Sequence, residues 1–99
     1  MKVMISQPMR GKTTEQIKEE REKLIREIEK SGNEYVDTIF TNVEPGKENI
    51  DLPVYYLAMS IEAMSKVDAV IFMEGWTQAR GCRIEHDIAR EYGKFIKEI

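Results

Sequence analysis

The stretch Asp68-Ala-Val-Ile-Phe-Met73, followed by Glu74-Gly75-Trp76, decides the fold. After Asp68 the run is apolar throughout, and it does not alternate with polar residues. A strand of that kind is buried on both faces, as in the middle of a parallel sheet. Parallel neighbours cannot be joined by a tight turn, so helices are expected on each side of it. Upstream, Pro53 suits a helix start, and Leu57, Ile61 and Met64 line the inner face of a helix over 53–66. Downstream, Gly75-Trp76-Thr-Gln-Ala-Arg80-Gly81 reads as a loop. A helix over roughly 82–92 follows, with Ile84 and Ile88 one turn apart, and residues 95–99 supply a last short strand after Gly93.

Toward the N-terminus the same logic holds. Lys2–Ser6 (KVMIS) is a short buried strand that stops at the turn-prone Gln7-Pro8-Met9-Arg10-Gly11. Thr13 and Gln16 offer a capping box to the next helix. Ile17, Leu24, Ile25 and Ile28 form its apolar stripe, and Ser31-Gly32 closes it. Glu19/Lys23 and Glu22/Arg26 stand at i,i+4 on the wet side, so the charge run from Glu15 to Lys30 reads as a solvated face and not a binding patch. Residues 34–40 (EYVDTIF) form a second strand, and 41–52 a loop without period. Alternating strands and helices of these lengths give a single three-layer α/β domain, Rossmann-like or flavodoxin-like, with a parallel sheet of about four strands.

Bulk properties narrow the function. Ninety-nine residues make one domain. A net charge of −3 argues against binding long nucleic acid, which needs clustered Lys and Arg, while leaving a small anionic ligand open. Cys82 is the single cysteine, so neither an intrachain disulfide nor a cysteine-rich metal site can form. His86 has no Cys or His at ligand spacing and reads as a solvent-facing helix residue; no metal or other cofactor is expected. The opening apolar run is too short for a signal peptide and no later stretch could span a bilayer, so no membrane partner is expected and the cytoplasm is the default compartment.

In open parallel sheets ligands sit at the carboxyl ends of the strands, near the point where strand order reverses. That rule selects the loops 6–12 and 74–81. Glu85 is the sharpest candidate beside them. Cys82, Glu85 and Ala89 fall at i, i+3, i+7, which puts Glu85 on or beside a packed face about one turn into its helix. The helix dipole there favours an ionised carboxylate. Such a group can attack a sugar carbon or stabilise a cationic sugar, or it can simply stabilise its own helix. Ser6, Gln7, Pro8, Met9, Arg10 and Gly11 form either a cradle for a phosphate or base edge, or an ordinary connection. Trp76, after Gly75, either stacks on a base or lids the core. Arg80, beside Gly81, pairs with an anion or with a surface carboxylate. Asp68 reads as polarity at a strand edge, and the scattered methionines as core filler.

Taken together, SQPMRGKT, YYLAMSIEAMSKVDAVIFMEGW and ARGCRIEHDIA resemble the small DUF4406 proteins, relatives of the nucleoside 2-deoxyribosyltransferases and deoxynucleoside-monophosphate N-glycosidases. The resemblance covers nearly the whole chain, and such proteins are frequent in phages and prophages, so host cytoplasm is an implied location. It implies that Glu85 is a nucleophile toward an anomeric carbon. It also implies that Ser6 to Gly11 enclose base and sugar, and that Trp76 to Gly81 face the ligand. Relatives are dimers or larger, with a neighbour's residues completing each pocket. Two departures stand out. The enzymes carry an aspartate on the helix before the central strand, which falls at Ser60 here, and the monophosphate glycosidases carry a first-strand tyrosine where this chain has Met4.

Two functions follow as expectations: cleavage or transfer of an N-glycosidic bond through Glu85, or retention of a nucleotide or nucleotide-derived signal without reaction. The helix at 53–66 presents Tyr55, Tyr56, Met59 and Met64, more apolar surface than one inner face requires. A homodimer or higher oligomer with that helix near the contact is therefore expected.

Overall fold

A computed structural model of the chain describes residues 1–40 and 49–99. Its elements run β1 (Lys2–Ser6), α1 (Thr14–Lys30), β2 (Glu34–Tyr35), α2 (Leu52–Met64), β3 (Ala69–Phe72), a 3-10 turn (Trp76–Gln78), α3 (Arg80–Glu91) and β4 (Phe95–Glu98). The strands form one parallel sheet in the order β2-β1-β3-β4. The unbroken hydrophobicity of the two central strands has a direct cause, because each face of the sheet carries its own core. Met4, Val70 and Phe72 pack with Met64, Val67 and Ala89 on one side. Val3, Ile5 and Ile71 pack with Leu24 and Ile28 of α1 on the other. These are the three layers expected of a small Rossmann-like or flavodoxin-like domain.

Local signals place the helix ends. Thr13 accepts from the Gln16 N–H while Gln16 accepts from the Thr13 N–H, a complete capping box. Asp51 caps α2 through the Val54 N–H, with Pro53 in the first turn. At the end of α1 Ser31 is the C-cap, and its N–H returns to the helix carbonyls.

Two expectations need correction, the length of β2 and the solvation of α1. Strand β2 is two residues long, not the seven of 34–40. The Val36 N–H still reaches the Val3 carbonyl, but beyond it side chains take over the backbone's partners. Asp37 accepts from the Ile39 N–H, and the Thr38 hydroxyl, not an amide, donates to the Ile5 carbonyl. The loop expected at 41–52 lies largely outside the described residues, and its end is the cap and first residue of α2. On α3 the buried face is Cys82, Glu85 and Ala89, whereas Ile84 points to solvent. Lastly, the charge run of α1 is not uniformly solvated: Arg21 stands in the apolar stripe between Ile17 and Leu24 and is wholly buried. The Glu22–Arg26 pair does lie on the wet side, at 2.8 Å.

No helix among the described residues is long and apolar enough to cross a membrane. Helix α2 buries Met64 fully and leaves Leu52 and Val54 exposed.

Candidate functional site

Strands β1 and β3 are the central pair, and their connections leave toward opposite edges of the sheet. Their carboxyl ends therefore bound the crevice where doubly wound domains hold ligands. The two following loops are tied together there. The Met73 N–H donates to the Ser6 carbonyl at 2.9 Å, and the Trp76 N–H to Met73 at 3.1 Å. Gly75, at φ +88°, lies so close to the first loop that a Cβ on it would stand 3.5 Å from Pro8 Cγ.

Successive residues of β1 point to opposite faces, so Ser6 and Gln7 address different helices. Gln7, buried, faces α1. Its amide oxygen accepts from Arg21 Nε at 2.6 Å, and its amide nitrogen donates to Glu20 Oε1 at 2.6 Å. Glu20 is in turn paired with Lys12 at 2.9 Å; that hydrogen bond first, and Gln7 second, hold its carboxyl below the usual carboxylate range. Arg21 Nη1 donates to the Tyr35 hydroxyl at 3.0 Å and to Thr38 Oγ1 at 2.9 Å. The Tyr35 hydroxyl donates to Asp37 at 3.1 Å, and burial raises its pKa. A continuous polar chain thus runs from Lys12 through the interior to Asp37.

Ser6 faces α3, next to Cys82 and Glu85. Its hydroxyl favours the charged form of both neighbours, yet no atom among the described residues meets Ser6 Oγ in hydrogen-bonding geometry, so it is a neighbour and not a bonded partner. Glu85 is 8% exposed. Burial pushes its pKa from 4.5 up to about 7, against the smaller opposing pulls of Ser6 and the Arg21 charge. The expectation of a carboxylate ionised by the helix dipole is therefore corrected. Desolvation outweighs a dipole contribution that reaches only about 1 kcal/mol at an exposed first turn. Cys82 is also raised, mainly by burial, and is a neutral thiol rather than a nucleophile.

The remaining candidates divide between rim and lid. Pro8 is half-buried, while Met9, Arg10 and Gly11 are exposed, with Gly11 at φ +79° in a turn closed by the Lys12 N–H to the Met9 carbonyl. Arg80 is exposed and forms no ion pair among the described residues, and Gly81 is half-buried in the first turn of α3. Trp76 packs on Phe72 at 5.4 Å and stacks on His86 at 4.2 Å with 9° between the planes, which makes it a lid on the core. His86 is accordingly not solvent-facing; its ring completes a three-ring cluster with Trp76 and Phe72, 4.8 Å from the latter, and Nε2 meets Glu98 at 3.0 Å. Ser60 is half-buried on α2, and among the described residues no hydrogen bond joins it to Glu85. No cluster of metal-ligating side chains occurs among the described residues.

Sequence reasoning missed Arg21, Tyr35 and Thr38. For Arg21 the signal was present: it continues the stripe Ile17, Leu24, Ile28 at helical spacing.

A parallel four-stranded sheet covered by helices on both faces, with an acid buried at its switch point, defines a small doubly wound α/β protein. The sequence pattern of the DUF4406 family, a domain of unknown function, matches residues 1–98, and the chain belongs to that family. No curated protein and no solved structure matches it.

Proposed function

We propose that this protein cleaves or transfers the N-glycosidic bond of a nucleoside or nucleotide, with Glu85 as nucleophile. The observation that supports this reading is a single carboxyl, largely withdrawn from water, at the carboxyl end of the central strands. In the step proposed, an ionised Glu85 oxygen bonds to the anomeric carbon as the carbon–nitrogen bond breaks. The electron pair leaves with the base, which takes a proton from water. Water or a second base then displaces the Glu85 ester, restoring the carboxylate and releasing free sugar or a new nucleoside. Ser6, Pro8 to Gly11, Gly75, Arg80 and Gly81 are assigned to the ligand's side of the crevice, Arg10 and Arg80 supplying cations for a phosphate, while Trp76 and Gln7 serve the core behind it.

Only the ionised form attacks, so base release in the free enzyme rises as pH increases through about 7, where Glu85 titrates. The test is incubation with a panel of nucleosides and 5′-monophosphates, read by chromatography. Free base is expected from at least one and is abolished by Glu85→Gln; no base from any of them at high enzyme concentration refutes the enzyme reading.

Ser60, in place of the enzymes' aspartate, and Met4, in place of a tyrosine, favour a second reading: a protein that sequesters a nucleotide or nucleotide signal unchanged, acting in the cytoplasm of a phage's host. Calorimetry against the same panel, followed by recovery of the input after denaturation, separates the two. Exposed Leu52 and Val54 on α2, with half-buried Tyr55 and Tyr56 beside them, support a homo-oligomer formed through this helix. Light scattering at micromolar concentration checks this; a mass near 11.5 kDa would refute it.

A further inference from the structure

Strand β4 is an edge that the fold leaves open. Strand β3 is its neighbour on one side, and among the described residues no strand pairs with its other side. The N–H groups of Phe95 and Ile99 turn inward to the Asp68 and Phe72 carbonyls, so the backbone groups of Ile96 and Glu98 turn outward. The opposite edge of the sheet is blunted, because β2 has only two residues. Strand β4 has four, and apolar side chains stand in solvent along it: Phe95 is 66% exposed and Ile99 57%. An edge of this kind is a template for another strand.

Side chains decide which strand fits. The edge reads Phe95-Ile96-Lys97-Glu98, preceded by Lys94. Phe95 and Lys97 stand on the α1 face of the sheet, in register with Ala69 and Ile71; Ile96 and Glu98 stand on the α3 face, in register with Val70 and Phe72. A second copy brought edge to edge by a twofold axis perpendicular to the sheet runs antiparallel and keeps every residue on its own face. An axis at Phe95 or Glu98 carries part of the strand past its partner's end. An axis at Lys97 sets that lysine against its own copy at the closer, non-hydrogen-bonded spacing, where like charges repel. An axis at Ile96 makes Ile96 a hydrogen-bonded pair with its own copy and lets the Glu98 N–H donate to the partner's Lys94 carbonyl. Lys94 then lies opposite Glu98 on one face, and Lys97 lays its methylene stem and ammonium across Phe95 on the other. Glu98 gives Oε1 to His86 and Lys94 Nζ donates to the Val67 carbonyl, which leaves the second carboxylate oxygen and further ammonium protons for the pair.

We propose that β4 is a homodimerisation edge: two copies join their sheets antiparallel about Ile96, with Lys94 of each chain facing Glu98 of the other and Phe95 facing Lys97. The contact is small, at the low end of the range of specific interfaces, so it relies on main-chain hydrogen bonds and forms at micromolar concentration or above. It is separate from the contact assigned to α2, and a chain that uses both assembles beyond a dimer.

The experiment is sedimentation from low micromolar to millimolar concentration on wild type, Phe95→Lys and Phe95→Lys with Lys97→Glu, each checked for folding by circular dichroism. The wild type should associate, and Phe95→Lys should halve the mass of the assembly, because two lysines then oppose each other. Adding Lys97→Glu should restore it, since an acid now faces the new lysine. A wild type at 11.5 kDa throughout, an association indifferent to Phe95→Lys, or a folded double variant that stays apart each overturns the proposal. The second of these outcomes would leave association through α2 standing. If the variants do not fold, hydrogen exchange of the wild type decides. The outward amides of Ile96 and Glu98 should exchange about tenfold more slowly at millimolar than at low micromolar protein, while the inward amide of Phe95 does not change. Exchange at Ile96 and Glu98 that ignores concentration also overturns it.

Discussion

Replacing Glu85 by Gln should make this protein more stable at alkaline pH while removing its proposed nucleophile. Gln keeps the shape of the protonated acid but never has to bear a charge inside the protein. In the wild type, Glu85 titrates near 7 when folded and near the ordinary 4.5 when unfolded. The folded state thus holds its proton more tightly, so the contribution is fully present below 4.5 and is lost as pH rises through about 7. At about 1.4 kcal/mol per pH unit, the whole effect is on the order of 3 kcal/mol, and most of it falls between pH 5 and pH 8.5. Glu85 is nearly buried, so little solvent screening reduces this figure. Urea unfolding of wild type and Glu85→Gln at both pH values isolates the term, because every other titrating group is shared. The two stabilities should be within about 1 kcal/mol at pH 5, with the variant ahead by about 3 kcal/mol at pH 8.5. For a domain of this size that lead corresponds to a Tm difference on the order of 10 °C or more. Parallel stability curves across the range would show that Glu85 is not desolvated in the fold, and would remove the basis for its raised pKa.

Two further outcomes test the frame around the site. Gly75→Ala puts a Cβ at ordinary contact distance from Pro8, so its cost of about 1–2 kcal/mol comes from the left-handed φ of +88° and not from a clash; a neutral result in urea unfolding would contradict that conformation. His86→Leu removes the ring stacked on Trp76 and should cost about 0.5–1.5 kcal/mol beyond the change in buried area, with altered emission from this single tryptophan; unchanged emission would mean that the two rings are not stacked.

The sheet was legible because its central strands are buried on both faces, and KVMIS and AVIF leave no room for alternation. Helix ends were legible where caps are side-chain chemistry, as at Thr13, Gln16 and Pro53. What escaped was polar structure inside the domain. Composition treats a charged residue on a charged helix as solvated, so Arg21 was hidden among its neighbours even though its spacing placed it in the core. The same blindness extended β2 through Asp37 and Thr38, whose side chains replace ladder hydrogen bonds that a run of β-formers would have made. On α3 the Cys82, Glu85, Ala89 spacing was correctly read as inward, which left Ile84 outside. The ionisation of Glu85 was misjudged because a helix position predicts its dipole but not its dehydration.

The pairing of β1 with β3 also dictates when the site can come into being. The sheet's centre is built from partners as distant as Val3 and Ala69, and parallel register offers no hairpin from which to start. Loop-closure entropy must be met before that contact returns any burial, which sets a slow pace for chain folding relative to helical domains of equal size. During synthesis, β1, α1 and α2 emerge while the strand that joins their two cores is still unmade. Helix α3 follows β3 in the chain, so the acid of the site takes its place only after the strand that completes the sheet's centre is available.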